Sequence, residues 1–118
     1  MKKKNTLNYY ESTFEAKLSE VYQAKSSLES SVREVAARKM VIDFYPEGAD
    51  RKEAQQELAD SQRSLICRIG AYDARLAAVT IYYTNNYEQL SHYASPDRFG
   101  TSHDIVVNVA KNYLQYSK

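Results

Sequence analysis

From Phe14 onward, apolar side chains recur at alternating spacings of four and three, through Phe14, Leu18, Val21, Lys25, Leu28, Val32, Val35, Lys39 and Ile42, with seven of the nine positions apolar. That alternation holds a stripe on one face of an α-helix and predicts one long helix over residues 8–44. Ser12, with Glu15 three residues on, suits a capping box at its start, and Asn8 with Glu11 offers the same device one turn earlier. Tyr45, Pro46, Glu47 and Gly48 then stop the helix, because a residue before proline is pushed extended and glycine can take positive φ. Asp50 and Glu53 repeat the capping pattern. A second 4,3 register follows through Leu58, Gln62, Leu65, Ile69, Tyr72, Leu76, Val79 and Tyr83, predicting a helix over residues 50–85.

A turn this short makes the two helices antiparallel. Residues whose numbers add to about 94 then face one another, so that Leu28 meets Leu65 or Ile66 and Ala24 meets Gly70. A mid-helix glycine costs about 1 kcal/mol relative to alanine, and close backbone approach to Ala24 or to another helix is its expected return. Lys25, Lys39 and Gln62 interrupt the seam. Such residues either fix register or, for lysine, run the ammonium out past the apolar edge.

The second helix also carries a second apolar stripe, made of Ala59, Ile66, Gly70, Ala74, Ala77 and Ile81. One hairpin partner cannot cover two stripes, so the C-terminal segment, a second copy of the chain or a client helix is expected on it. Downstream, residues 86–94 read as a short helix and Ser95 to Gly100 as a loop. Residues 102–116 read as a C-terminal helix with Ser102 as N-cap and Ile105, Val106, Val109, Tyr113 and Leu114 as its apolar face. The fold class predicted is all-α: a single domain, a long coiled-coil-like antiparallel hairpin with a short helix and a C-terminal helix at its open end, preceded by a flexible basic segment over residues 1–7.

Composition narrows the function. The 118 residues hold 16 basic and 15 acidic side chains, and setting aside Lys2, Lys3 and Lys4 leaves thirteen basic against fifteen acidic. The positive field of a general nucleic-acid binder is therefore missing. Mixed charges along the second helix read as a solvated face. The single Cys67 cannot form an internal disulfide and suggests a reducing compartment. No window approaches the ~18 continuous apolar residues of a membrane span, so a cytoplasmic protein without membrane attachment is expected.

Eleven tyrosines are the compositional oddity. Tyr9, Tyr10, Tyr82, Tyr83, Tyr87, Tyr93, Tyr113 and Tyr116 fall where chain ends converge at the open end of the hairpin, if the third helix folds back there. They serve either as a mini-core or as anchors for a partner, a use to which tyrosine's area and hydroxyl suit it.

Catalytic chemistry finds few candidates. Arg98 and His103 form an Arg-x4-His pair, similar to the nuclease motif of HEPN-type bundles, and the resemblance implies an RNase acting through those two side chains. That family carries its motif on a helix, whereas Phe99, Gly100, Thr101 and Ser102 here read as loop. Tyr93-x-x-x-Asp97 is similar to the tail signal of type VII secretion substrates, which are also helical hairpins; eleven tyrosines and fifteen acids supply about one such pair by composition alone.

The sequence thus predicts a non-enzymatic, small cytosolic protein-interaction module of bacterial or phage type: an adaptor, a secretion or assembly chaperone, or an inhibitor. No catalytic residue, cofactor, metal or small-molecule substrate is expected. Ile66, Gly70, Ala74, Ala77 and Ile81 form the expected contact stripe, for a homodimer or another protein, with Tyr82, Tyr83, Tyr87 and Tyr93 as anchors. A dimeric helical regulator that binds nucleic acid, a type VII secretion-associated hairpin and the HEPN-like RNase are the alternatives.

Overall fold

The computed structural model describes residues 8–114 of the chain, and of Thr101 and Ser102 the backbone only. The expected basic segment over 1–7, and Tyr116, lie outside them. Helix α1 spans Tyr9–Ile42, α2 Ala49–Asn85, α3 Tyr87–Leu90 and α4 Gly100–Asn112, with a 3-10 turn at Pro96–Phe99 between α3 and α4. The two long helices pack antiparallel in a molecule 71 × 24 × 15 Å.

Of the two possible caps on α1, the earlier one is used. Asn8 Oδ1 accepts from the Glu11 amide at 2.8 Å, while the Asn8 amide donates to Glu11 Oε1 at 3.4 Å. The Glu15 carboxylate, which a cap at Ser12 would need, instead accepts from the Tyr93 hydroxyl at 2.7 Å. At the turn, the expected Asp50–Glu53 box does not form. Gly48 is the N-cap of α2, with φ +142°, a conformation essentially closed to other residues. Asp50 therefore lies in the first turn, where the helix dipole favours a carboxylate. Arg51 fastens the turn by donating to the Tyr45 carbonyl at 3.1 Å and pairing with Asp43 at 3.5 Å.

The seam follows the sequence pattern with one-residue accuracy. Contacts Glu34–Ser61, Arg38–Glu57, Ser27–Arg68 and Glu20–Arg75 join residues whose numbers add to 95. Phe14, Val21, Leu28 and Val35 on α1, seven residues apart, are buried against Leu65, Ile69, Tyr72, Val79 and Tyr83 of α2. Toward the turn the seam becomes polar: Ser31 and Ser61 are buried, and Ser61 Oγ donates to Glu34 Oε2 at 3.0 Å. The Ser61 hydroxyl, then Arg38, hold the Glu34 carboxyl below the usual carboxylate range.

The expected approach at Gly70 does not occur. A Cβ placed there meets nothing within 4 Å, because Ile69 and Tyr72 take the inward positions and leave Gly70 facing solvent.

Beyond α2 the chain reverses at the open end. Leu90 and Pro96 are fully buried there, and Ser95 caps the 3-10 turn by accepting from the Asp97 amide at 3.1 Å. This turn replaces the expected loop and runs straight into α4, so that Ser102 lies within the helix and is not its cap. From the open end α4 runs in the groove of the hairpin toward the turn: His103 meets Asp73, and the Tyr113 carbonyl accepts from Gln62 Nε2 at 2.9 Å. Lys39 Nζ stands 5.8 Å from the Tyr113 ring centroid. Two of the three polar seam residues are thus where the end of α4 docks. Tyr113 is accordingly remote from the open end, where the sequence placed it. The face α4 buries is also rotated from expectation: Val107 and Ala110 are inside, and Ile105 and Val109 are exposed.

Candidate functional site

The second stripe of α2 emerges as a continuous exposed strip. Ile66 is 55% and Ile81 60% exposed, and Gly70, Ala74 and Ala77 between them are exposed as well. Among the described residues, the C-terminal segment does not cover it. Residues 64–85 contain only three charged side chains, Arg68, Asp73 and Arg75, and each is drawn toward another element. Arg68 bonds Ser27 and Arg75 pairs with Glu20 at 3.9 Å, both on α1, while Asp73 bonds His103 on α4. What α2 presents outward over four turns is therefore uncharged, apolar and built of small side chains between two isoleucines. Cys67 is exposed on the same stretch.

The tyrosines at the open end divide between core and surface. Tyr83 is buried, its ring 5.6 Å from those of Phe14 and Tyr87, and its hydroxyl donates to the Tyr93 carbonyl at 3.0 Å. Tyr93 is half-buried against Phe14 at 4.9 Å. Both lock the C-terminal segment onto the hairpin, with help from His92, whose Nε2 lies 2.7 Å from Glu11 Oε2. As a buried ring, Tyr83 cannot reach a partner without opening that end. Tyr82 is half-buried under the Lys17 ammonium, 5.5 Å from its ring centroid, whereas Tyr87 is 56% exposed and Tyr9 74%.

Burial, followed by the hydrogen bond to Glu15, raises the Tyr93 phenol to about 12 from an ordinary value of 10.0. A raised phenol favours the neutral form in the folded state. Its contribution to stability should therefore be complete below pH 10 and disappear as the pH climbs to about 12. Alkaline titration followed by tyrosinate absorbance should show a late-ionising tyrosine near pH 12, and Tyr93→Phe should remove that contribution and flatten the fall in stability over that interval.

Arg98 and His103 are engaged separately. The Arg98 guanidinium lies 4.7 Å over the Phe99 ring. His103 is turned inward, its ring 5.0 Å from that of Tyr72 and its two nitrogens held by Asp73 and Asp104. The 3-10 turn and α4 thus use both as fasteners. Among the described residues, no group of three or more histidine, cysteine or acidic side chains is placed to hold a metal ion, and no helix is long and apolar enough to cross a membrane.

Two surfaces escaped the sequence reading. Met40, Val41, Phe44 and Tyr45 are exposed around the hairpin turn, Phe44 at 83%, beside a cleft of about 350 Å³ lined by Tyr45, Asp50, Glu53, Ala54 and Glu57. A second cleft, of about 270 Å³, separates α1 from α4 between Val32, Arg33, Ile105 and Val109. The signal for the first was present in Met40, Val41 and Phe44, apolar residues outside the 4,3 register. The second depends on the rotation of α4, which no local pattern encodes.

No protein-family model matches the chain, and neither does any curated protein or solved structure.

Proposed function

We propose that the chain is a non-enzymatic protein-interaction module, an adaptor, assembly or secretion chaperone, or inhibitor, that presents the outer face of α2 to another protein surface. One observation carries this reading: every charged side chain in residues 64–85 is tied to α1 or α4, which leaves Ile66, Gly70, Ala74, Ala77 and Ile81 as an exposed apolar strip. Strips of this kind receive an apolar helix face or another copy of the same face. Tyr87, and Tyr82 at its exposed edge, flank the strip and are suited to anchor the same partner. An exposed thiol at Cys67 fits a reducing, cytosolic setting.

Ala77→Glu tests the proposal without touching the core. An exposed helical position changes stability by no more than about 0.5 kcal/mol, so circular dichroism and thermal melting should match the parent. Proteins retained from host extract by the parent chain should be lost from the immobilised variant. Identical retention by both would remove α2 from the proposal.

A further inference from the structure

We propose that the turn end of the hairpin is a second docking surface, separate from the strip on α2, and that it receives a cationic, apolar segment of another protein: a helix or peptide that carries lysine or arginine beside aliphatic or aromatic side chains. An exposed apolar patch and an acidic cleft adjoin there, and Tyr45 belongs to both.

The patch consists of Met40, Val41 and Phe44, all exposed, with Phe44 the most exposed large apolar side chain among the described residues. Positions 40, 41 and 44 share one side of the helical path, opposite the side that Leu28 and Val35 turn into the seam. The hairpin therefore offers them no burial. The backbone beneath Tyr45 is fixed as well, because Arg51 donates to the Tyr45 carbonyl at 3.1 Å and pairs with Asp43 at 3.5 Å. A surface held in place before docking loses less conformational freedom when a partner arrives. Exposed apolar clusters of this kind mark interaction sites.

Charge decides the occupant. The cleft of about 350 Å³ is walled by Tyr45, Asp50, Glu53, Ala54 and Glu57, and residues 43–60 hold six acidic and two basic side chains. Arg51 is engaged with Asp43 and the Tyr45 carbonyl, and Arg38 of α1 with Glu34 and Glu57. Lys52 leaves α2 about 200° round the helix from Asp50. Asp50 and Glu53 thus stand in no ion pair among the described residues. A lysine or arginine head fits between these carboxylates and the Tyr45 ring, and apolar neighbours on the same segment then cover Val41 and Phe44. The same carboxylates repel an anionic lipid surface, and a second copy would set one acidic turn against another. In cross-section the molecule measures 24 × 15 Å, so a contact at its end belongs to the small, transient class of interfaces.

The probe is a fluorescent synthetic helix of about 15 residues, with leucines along one face and lysines on either side of it. Fluorescence anisotropy should show saturable, micromolar binding to the full chain at low salt, weakening as salt rises. Phe44→Ala should weaken it about tenfold, the effect of removing an aromatic anchor. Asp50→Asn with Glu53→Gln should weaken it about fivefold and flatten the salt dependence. These side chains are exposed, so thermal melting of the variants should stay close to the parent's. A peptide with serines in place of the leucines, or glutamates in place of the lysines, should bind about tenfold more weakly. Ala77→Glu should bind the peptide as the parent does, because the strip on α2 is a different face; loss of binding in that variant would place the peptide on the strip and overturn the proposal. Unchanged affinity in either turn variant or equal binding of the serine peptide would overturn it too. So would co-sedimentation of the chain with vesicles of phosphatidylcholine and phosphatidylserine, or a dimer in sedimentation velocity that Phe44→Ala disperses.

Discussion

Replacing Phe14 with alanine should cost about 3–5 kcal/mol, a large part of the 5–15 kcal/mol that holds a typical domain together. Phe14 is fully buried, and its ring joins three parts of the chain: α1, the end of α2 through Tyr83 at 5.6 Å, and the C-terminal segment through Tyr93 at 4.9 Å. The cavity left by alanine cannot close, because Tyr83 is tethered by its hydroxyl to the Tyr93 carbonyl and Tyr93 to Glu15. Thermal melting should show a fall of about 10–20 °C, at roughly 4 °C per kcal/mol for a chain of this size. The near-ultraviolet dichroism of the tyrosine cluster should weaken with it. A loss below about 1 kcal/mol would mean that the open end repacks.

Tyr72 should respond in opposite senses to two substitutions. It is the largest fully buried side chain, covered by α4, with the His103 ring 5.0 Å away. Tyr72→Ala removes that volume at mid-hairpin and should cost about 3–5 kcal/mol, the value for truncating a large buried aromatic ring. The hydroxyl is another matter, for it is buried without a hydrogen-bond partner. Burial, with Glu29 and Asp73 adding to it, pushes its phenol above 10.0. An unpartnered buried hydroxyl carries a desolvation cost of about 1–3 kcal/mol. Tyr72→Phe retains the ring, deletes the cost and should stabilise the protein by up to about 1 kcal/mol in urea denaturation. Destabilisation by Tyr72→Phe would show that the hydroxyl is satisfied after all, by an ordered water.

Local chemistry made the hairpin legible. The 4,3 spacing from Phe14 to Ile42 and from Leu58 to Tyr83 reports which side of each helix must leave water, and Pro46 with Gly48 dictates where the chain turns. Together they set the pairing of the helices to within one residue of that observed. The strip from Ile66 to Ile81 was legible for the same reason, since a helix with two apolar faces cannot bury both against one neighbour. Helix geometry likewise sets Arg68 and Arg75 on the α1 side of α2, but Asp73 borders the strip, and its engagement by His103 of α4 was not legible.

Choices between equivalent local options were also beyond the pattern. Asn8 and Ser12 are equally good caps until Tyr93, far along the chain, occupies Glu15. Lys39 and Gln62 break the seam for no local reason, and their role emerges when the end of α4 docks on them. Tyr83 and Tyr87 are chemically alike, yet one is core and the other surface.

The sequence alone determined that this protein is a helical hairpin with a surplus apolar face, because burial periodicity and turn chemistry act over a few residues and are written there directly. Only the tertiary structure decided which tyrosines are buried, where α4 lies and that no other described segment packs on the surplus face. Those outcomes depend on contacts between residues tens of positions apart, whose geometry exists only once the chain has folded.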